Sequence, residues 1–350
     1  MHIVLVGANH RSCPIELRER LAFQAEQLPA ALTSLRQELG LAESLILSTC
    51  NRVEIYAGVP ELDGTADRIA LFLGVRSGVR QDELAAQLYT YTEPQSVQHL
   101  FSVAGGLDSM VLGETEILHQ VKHAYELARL HGATGKVLNV LFQRALNAGK
   151  TVREKTGLSL GAVSVGTVAL ELAQKIFGDL RAYIVVLVGA GKVGELVIKR
   201  LTERGVSRIR VLNRSVERAQ LLASNYGGVA YPLETLQAQL LEADIVITST
   251  DSPTALLSAS ELAPVMVARR HRPLCLIDLG VPRNLDPALG HLENVYLFDI
   301  DDLQGLVNHQ TAQRRQAVAE SQAILEQKVG HFIAWHRSCV PWSSGLAAVR

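Results

Sequence analysis

The feature that most constrains the fold of this chain is a glycine motif that directly follows a run of apolar residues. The run covers residues 183–188, and Gly189, Gly191 and Gly194 follow it in the spacing G-x-G-x-x-G, ahead of a helical pattern. In such a turn the first glycine makes the bend, the second lets a pyrophosphate approach the backbone, and the third lets helix and strand pack together. The spacing is weak evidence alone, but this context predicts a dinucleotide-binding domain. A glycine-rich turn that binds no ligand is the alternative.

The residues that end the next predicted strand indicate which dinucleotide is bound. NAD-specific domains carry a carboxylate there, which holds the ribose 2′-hydroxyl. Here the strand at 209–213 ends in Asn213, followed by Arg214 and Ser215, and none of the three is acidic. An arginine and a serine can bind a 2′-phosphate, so the sequence favours NADPH, with a plain surface arginine at 214 as the alternative. The predicted cofactor contacts are Gly189, Ala190, Gly191, Lys192, Val193, Gly194, Asn213, Arg214 and Ser215.

The order of the predicted elements divides the chain into four segments. Strands alternate with helices over 181–298, which predicts a parallel sheet and a Rossmann-type NADP-binding domain. Residues 1–157 mix helices and strands without that alternation, so we expect an α+β N-terminal domain, followed by a linker helix at 158–180. Residues 299–350 begin with a long amphipathic helix that could pack on a partner. The predicted fold class is α/β multidomain, and strands are predicted at 3–7, 44–48, 53–59, 183–188, 209–213, 244–250 and 273–280.

The overall composition excludes several classes of protein. The 34 lysines and arginines balance 35 acidic residues, so no global positive field exists to coat nucleic acid non-specifically. Only 5% of the residues are aromatic, which argues against a base-stacking platform. The N-terminus is typical of a first strand rather than a signal peptide, and no apolar run is long enough to span a membrane. We therefore expect a cytoplasmic protein.

The four cysteines indicate free thiols in a reducing compartment. They stand at positions 13, 50, 275 and 339, and no pair has the spacing of a zinc site, so no metal is expected. Cys275 lies inside an apolar strand and is expected in the core. Cys13 lies close in sequence to several arginines and is therefore a second candidate for a reactive thiol.

Cys50 is the first candidate nucleophile. It lies in a polar link between two apolar runs, and Arg52, Glu54 and Tyr56 that follow share one face of the second strand. A nearby guanidinium is expected to lower the pKa of the thiol and raise the thiolate fraction. The alternative is a cysteine that packs inertly at the end of a strand.

A second group of candidate residues lies between positions 95 and 120. His99 lies on a predicted helix, where a structural role is the alternative to a catalytic one. Residues 105–120 hold three glycines and three carboxylates, which favours a ligand-facing loop that enters a helix. The alternative is a charged helix N-terminus after Gly113, where Glu114 and Glu116 would be stabilised by the helix dipole.

Taken together and in order, the motifs resemble those of the glutamyl-tRNA reductase family. The similarity extends from about residue 3 to about 336, nearly the whole chain, and the second, third and fourth motifs are specific whereas G-x-G-x-x-G is not. The motifs are ANHRSCPIELRERLAF, LSTCNRVEIY, GLDSMVLGETEILHQVKHAY, AVSVGTVALELA, VGAGKVGE, VLNRS, IDLGVPRNLDP and DIDDL.

The resemblance implies NADPH-dependent reduction of glutamyl-tRNA to glutamate-1-semialdehyde with release of the tRNA, the first step of tetrapyrrole synthesis by the five-carbon route. In this family the thiol that matches Cys50 attacks the aminoacyl ester and forms a thioester, which hydride then reduces. His99 matches the histidine linked to activity. Arg52 could pair with the glutamate side-chain carboxylate through two hydrogen bonds. The matching substrate positions are Thr49, Asn51, Arg52, Ser109, Glu114, Thr115, Glu116 and Gln120.

The resemblance also implies an arrangement of domains and partners. Residues 1–157 would be the catalytic domain, and 299–350 a spine helix with a shortened dimerisation segment, because family members continue well past the W-x-x-S segment near 335–338. Implied partners are glutamyl-tRNA, a homodimer mate and glutamate-1-semialdehyde aminotransferase. The chain departs from the family at Glu116, usually Gln, and at His119, usually Gly.

Two other functions compete with this one. A shikimate-dehydrogenase-like NADP oxidoreductase would account for the second domain and leave Cys50 without a use. A non-catalytic paralogue that binds tRNA or a pathway enzyme would account for the short C-terminus and Glu116. An intact Cys50, Arg52 and glycine motif favour the enzyme.

Overall fold

The computed structural model describes the chain except residues 111, 115, 157, 159–164, 305–311 and 340–350, with backbone only at 165, 304 and 312–314. The described residues of 1–162 and 310–350 form one compact unit, and those of 163–309 form a second.

The strands are β1 (His2–Asn9), β2 (Glu43–Ser48), β3 (Arg52–Val59), β4 (Tyr89–Thr92), β5 (Val185–Val188), β6 (Ile209–Asn213), β7 (Val229–Pro232), β8 (Ile245–Thr248), β9 (Leu274–Asp278) and β10 (Val295–Phe298). The α-helices are α1 (Ile15–Leu21), α2 (Leu28–Gln37), α3 (Thr65–Ser77), α4 (Gln81–Ala85), α5 (Gln95–Ala104), α6 (Glu116–Leu130), α7 (Lys136–Thr156), α8 (Val165–Phe177), α9 (Lys192–Glu203), α10 (Val216–Tyr226), α11 (Leu236–Leu240), α12 (Ala259–Ala268), α13 (Ile300–Gln304) and α14 (Ala312–Cys339).

The first unit is built on a four-stranded antiparallel sheet with the order β2-β3-β1-β4. Every residue of β3 is buried, so the strand is covered on both faces, which explains why its sequence is nearly continuously apolar. Arg52 and Glu54 are therefore charged side chains inside a buried strand, a position that requires partners. Helices α5, α6, α7 and α14 pack around this sheet and share its core.

The second unit is a six-stranded parallel sheet with the order β10-β9-β8-β5-β6-β7. The chain runs from β5 through β6 to β7 on one side and then crosses to β8 on the other. The strand order therefore reverses between β5 and β8, the point where doubly wound sheets bind dinucleotides. Separate apolar clusters cover the two faces of the sheet, and α8 packs in one of them beside α9.

The predicted fold class is confirmed, and the differences concern particular elements. The segment predicted as one helix from about 300 is described as α13 and α14, with 305–311 outside the described residues. Part of its apolar stripe packs within its own unit, since Leu325, Val329 and Phe332 are buried against α5 and α7.

Candidate active site

Cys50 lies in the tight turn that joins β2 to β3. The Thr49 N–H donates to the Arg52 carbonyl at 2.8 Å, and the Thr49 hydroxyl accepts the N–H groups of Asn51 and Arg52, both at 3.2 Å. Arg18 reaches in from α1 and donates to the Cys50 carbonyl at 3.0 Å. The Cys50 side chain is half-buried in this turn. The predicted polar link is thus a rigid turn that fixes the backbone of the candidate nucleophile.

The thiol itself is not activated in the way that the sequence suggests. Burial raises the pKa of Cys50 to about 12, and the nearby charge of Glu114 acts in the same direction. The guanidinium groups of Arg18 and Arg52 oppose this without reversing it. The neighbouring arginines do act to lower the pKa of the thiol, as expected, but desolvation of the thiolate outweighs the cationic charges and the net shift is upward.

Glu54 lies at the centre of a buried hydrogen-bond network. Its carboxylate accepts from Arg52 Nη1 at 2.7 Å and is hydrogen-bonded to His99 Nε2 at 2.7 Å. The hydroxyl groups of Tyr56 and Tyr89 donate to it at 2.6 and 2.7 Å. Burial alone would raise the pKa of Glu54, but His99, Arg52 and these hydrogen bonds hold it well below its usual range. A permanently charged Glu54 thus orients both Arg52 and His99.

The orientation of His99 follows from this contact. With Nε2 directed at a carboxylate, a neutral ring carries its proton on Nε2 and leaves Nδ1 as an acceptor. Nδ1 lies 4.0 Å from Asp108 Oδ2. The network therefore fixes the tautomer of His99 and the direction of the nitrogen that can exchange a proton.

Arg52 is already engaged by protein carboxylates. Besides Glu54 it donates from Nη1 to Asp108 Oδ2 at 3.2 Å and from Nη2 to the Asp108 carbonyl. Asp108 also accepts from Arg11 at 2.8 Å. Burial acts to lower the pKa of Arg52, but the charges of Glu54 and Asp108 and the hydrogen bond to Glu54 raise it above its usual value. A substrate carboxylate that pairs with Arg52 must therefore share it with Asp108 or displace Asp108.

The described residues of 105–114 form turns ahead of α6, which is compatible with the loop that the sequence favours. Gly106 and Gly113 both have positive φ, at +73° and +75°, and the Gly113 N–H donates to the Gly106 carbonyl at 2.8 Å. A Cβ at Gly113 would lie 2.4 Å from the Leu158 carbonyl oxygen, so only glycine fits there. This loop carries Ser109, which is buried, and Glu114.

Glu114 is a carboxylate with a perturbed pKa beside the nucleophile. Burial raises its pKa to about 7, the Ser109 hydroxyl and Arg52 oppose that rise, and Glu116 adds to it. Its own charge is the largest electrostatic influence on Cys50. A carboxylate that titrates near neutral pH next to a buried thiol is a candidate proton acceptor.

The predicted substrate positions are found on three segments of the first unit. The β2–β3 turn and the 105–114 loop bring Cys50, Arg52, Ser109 and Glu114 into mutual interaction. Glu116 begins α6 and Gln120 lies one turn later, both half-buried, while His119 is exposed. Thr115 lies outside the described residues.

Sequence reasoning missed most of the charged groups that surround these positions. Because alternate residues of a strand point the same way, the shared face of Arg52, Glu54 and Tyr56 could have indicated the buried ion pair of Arg52 and Glu54. Nothing in the sequence pairs β3 with Asp108, Tyr89 or the backbone contact of Arg18, because these contacts join segments far apart in the chain.

The glycines of the second unit fit a bound dinucleotide. Gly189 has a φ of +111°, and a Cβ on it would lie 2.1 Å from the Ser249 carbonyl oxygen at the end of β8. A Cβ on Gly194 would lie 2.5 Å from the Gly189 carbonyl oxygen, whereas nothing lies within 4 Å of one at Gly191. Two glycines thus permit close packing and the third leaves open space at the N-terminus of α9, as pyrophosphate binding requires.

The end of β6 carries the residues predicted to select the cofactor. Asn213 Nδ2 donates to the Ser215 carbonyl at 3.0 Å, and Arg214 is exposed. Ser215 caps α10 and its hydroxyl donates to Glu217 at 2.8 Å. A 2′-phosphate at this position would find the exposed guanidinium of Arg214, but it would compete with Glu217 for the Ser215 hydroxyl.

The remaining thiols are distributed largely as expected. Cys275 is fully buried, and burial raises its pKa to about 12. Cys13, the second candidate, is buried with its Sγ 3.7 Å from the Pro14 carbonyl oxygen. Cys339 is exposed at the end of α14.

In the described part of the chain, no helix is both long and apolar enough to cross a membrane, and no three metal-binding side chains form a cluster.

Comparison with known families assigns each unit separately. Residues 6–156 match the model of the N-terminal domain of glutamyl-tRNAGlu reductase. Residues 171–306 match the model of shikimate/quinate 5-dehydrogenase. The second match agrees with the expectation that such a likeness covers only the nucleotide-binding half.

Comparison with individual proteins covers almost the whole chain. The chain is 42% identical to glutamyl-tRNA reductase from Syntrophotalea carbinolica over 338 residues, which is 97% of this chain and 76% of that protein. It is 43% identical to the enzyme of the same name from Geobacillus kaustophilus, over 96% of this chain and 74% of that one. The solved structure of glutamyl-tRNA reductase from Methanopyrus kandleri aligns with a TM-score of 0.52 at 33% identity, covering 96% of this chain and 81% of that one. The chain therefore belongs to the glutamyl-tRNA reductase family, oxidoreductases that catalyse the first step of tetrapyrrole synthesis.

Proposed function

We propose that this protein reduces glutamyl-tRNA to glutamate-1-semialdehyde through a thioester on Cys50, with NADPH as the reductant. The observation that carries the proposal is the half-buried thiol of Cys50 in a rigid turn beside the Arg52–Glu54–His99 network. Family membership supports the reaction, and the contacts of these residues support the roles proposed for them below.

In the first step Cys50 Sγ attacks the carbonyl carbon of the aminoacyl ester. The S–C bond forms, the bond to the terminal ribose oxygen of the tRNA breaks, and that oxygen leaves with a proton. The thiol proton passes to Glu114, whose pKa of about 7 suits a group that accepts and returns a proton at neutral pH. Arg52 holds the side-chain carboxylate of the glutamyl group, and the Thr49 and Asn51 backbone fixes the turn.

In the second step the thioester carbon becomes an aldehyde and the Cys50 thiolate is released. NADPH, when bound along Gly189–Gly194 and at Arg214 and Ser215, supplies the hydride for this reduction. His99, held by Glu54, is positioned to exchange a proton as the thiolate leaves. Because burial raises the pKa of Cys50 to about 12, the thiolate is reprotonated readily once the product departs.

The preference for NADPH is supported by the end of β6. Asn213, Arg214 and Ser215 offer no carboxylate to a ribose 2′-hydroxyl, and Arg214 is exposed. We further propose a cytoplasmic setting, consistent with four free cysteines, with glutamyl-tRNA as substrate, a second copy of the chain as a mate and glutamate-1-semialdehyde aminotransferase as a downstream partner.

The direct test is to trap the intermediate. The protein is mixed with glutamyl-tRNA that carries labelled glutamate, without NADPH, and the Cys50 peptide is examined by mass spectrometry for a glutamyl adduct. We expect an adduct on Cys50 in the native chain and none in Cys50→Ser. Addition of NADPH should then convert the adduct to the semialdehyde, with NADH much less effective.

Three outcomes would count against the proposal or a part of it. A folded, NADPH-binding protein that forms no adduct would favour the non-catalytic alternative, in which the chain binds tRNA or a pathway enzyme. An adduct on Cys13 in place of Cys50 would move the nucleophile to the other candidate thiol. Equal rates with NADPH and NADH would refute the cofactor assignment alone.

A further inference from the structure

A buried histidine outside the predicted set lies directly beside the nucleophile turn. His10 follows β1, and its backbone N–H donates to the Asn51 carbonyl at 2.9 Å. Because β1 and β3 pair antiparallel with Asn9 opposite Arg52, His10 faces the residue that follows Cys50. The position of His10 is therefore fixed by the same strand pairing that positions Cys50.

The imidazole of His10 has no hydrogen-bond partner in the described part of the chain. The residue is only 9% exposed, and both Nδ1 and Nε2 are buried without a donor or acceptor in reach. Buried polar atoms are almost always paired, and exceptions call for a specific explanation such as a ligand. Asn51 Oδ1 and Arg52 Nε, which belong to the predicted substrate positions, are unpaired in the same way. In the described part of the chain, these atoms are thus available to hydrogen-bond a polar ligand.

The charges around His10 determine its protonation state. The groups that act on it are Arg52, Arg11 and Arg18, all cationic, and Asp108. Burial and the three arginines together lower its pKa to about 4, against the opposing effect of Asp108. At neutral pH the ring is thus uncharged, with one N–H donor and one acceptor nitrogen.

We propose that His10 is a further substrate-binding residue of the reductase: its imidazole hydrogen-bonds the glutamyl group that Cys50 attacks. This inference rests on the proposed thioester at Cys50. It assigns His10 a different role from His99, whose Nε2 is already taken by Glu54. A neutral hydrogen-bonding group suits a site already crowded with cations, since it adds recognition without adding charge.

The test compares His10→Leu and His10→Gln with the native chain. In the Cys50→Ser background, affinity is measured for glutamyl-tRNA and for uncharged tRNA. Because His10 contacts only the glutamyl group, His10→Leu should weaken binding of glutamyl-tRNA at least fivefold and leave binding of uncharged tRNA unchanged. With Cys50 present, the same substitution should slow formation of the thioester at least tenfold at subsaturating substrate, and His10→Gln should recover part of the loss.

Thermal stability distinguishes a substrate-binding role of His10 from a merely structural one. His10→Leu removes two unpaired buried nitrogens, so its melting temperature without substrate should equal or exceed that of the native chain. The matched control is His336→Gln, since His336 is also buried in this unit but is hydrogen-bonded to the Met1 carbonyl at 2.9 Å. That variant should lose stability and keep the native rate of thioester formation.

The outcomes separate this inference from the proposed function. If the native chain forms no thioester, the proposed function fails first and the binding comparison with uncharged tRNA decides the role of His10. If the native chain forms the thioester and His10→Leu matches it in rate and in discrimination between charged and uncharged tRNA, the inference is overturned. A His10→Leu chain that is both slower and markedly less stable would assign His10 a structural role instead.

Discussion

At the scale of single residues, the reactivity of Cys50 depends on the balance between burial and charge. Two guanidinium groups lie close enough to lower its pKa, yet burial and Glu114 raise it to about 12. The resting thiol is therefore protonated at neutral pH, which protects it from oxidation and from chance electrophiles. In the proposed mechanism, Glu114 accepts the thiol proton as the S–C bond forms.

This balance predicts how Glu114→Gln will change the thiol. Removing the carboxylate removes the largest charge that disfavours the thiolate, so the pKa of Cys50 should fall and its alkylation by iodoacetamide at pH 8 should accelerate, by roughly threefold to tenfold. Reduction of glutamyl-tRNA should slow in the same variant because the proton acceptor is lost. Alkylation is measured peptide by peptide, with exposed Cys339 as the internal reference.

The pH dependence of Cys50 alkylation tests the same balance between burial and charge. Because burial raises the pKa of Cys50 to about 12, the alkylation rate of the native chain should climb about tenfold per pH unit from pH 8 to pH 10 without a plateau. A plateau near pH 8 would mean that the thiol is ordinary or activated. An unchanged rate in Glu114→Gln would mean that Glu114 does not act on Cys50.

At the scale of elements, the loop after β9 is held by a single buried carboxylate. Asp278 accepts the Thr248 hydroxyl at 2.8 Å and the N–H groups of Gly280, Asn284 and Leu285 at 2.9, 2.7 and 2.8 Å. Asn284 in turn accepts the Thr250 N–H at 2.9 Å, which ties this loop to the segment after β8. The carboxyl ends of β8 and β9 are thus joined through Asp278.

Asp278→Asn should therefore destabilise the second unit. An amide keeps one oxygen and puts an NH₂ group in place of the other. That NH₂ group would face either the Thr248 and Gly280 donors or the Asn284 and Leu285 N–H groups. Unpaired buried donors cost about 1–3 kcal/mol, which should lower the melting temperature of this unit by several degrees. The matched control is Asp286→Asn, since among the described residues the half-buried Asp286 carboxylate accepts a single N–H, that of Ala288. Equal melting temperatures for the two variants would contradict the role of Asp278.

At the scale of the whole molecule, the strands that the sequence predicts include every internal strand of the two sheets, β1, β3, β5, β6, β8 and β9, and the edge strand β2. The three strands that the sequence did not predict, β4, β7 and β10, all lie at an edge of their sheet. Their residues are mostly half-buried or exposed, so burial imposes less of an apolar pattern on these segments.

The candidate site divides in a similar way between local and distant information. The turn at 49–52 and the glycine motif are contiguous in sequence, so their residues could be identified from spacing alone. The bridge from Glu54 to His99 and the sharing of Asp108 by Arg52 and Arg11 join distant segments, and no single segment encodes them. The raised pKa of Cys50 was also invisible, because it depends on burial by the whole unit.

The two units have separate cores, which predicts two distinguishable unfolding transitions. Trp335 packs against Phe332 in the core of the first unit, and the chain has only one other tryptophan, Trp342. In a Trp342→Phe chain, tryptophan fluorescence therefore reports on the first unit, while far-ultraviolet circular dichroism reports on both.

NADP⁺ at 100 times its Kd should stabilise the unit that binds it by about 2.7 kcal/mol. In urea titrations, we expect NADP⁺ to move the circular dichroism transition of the second unit to a higher urea concentration. The midpoint of the Trp335 fluorescence transition should stay unchanged. A Trp335 midpoint that shifts with NADP⁺ by the same amount would mean that the two cores unfold as one cooperative structure.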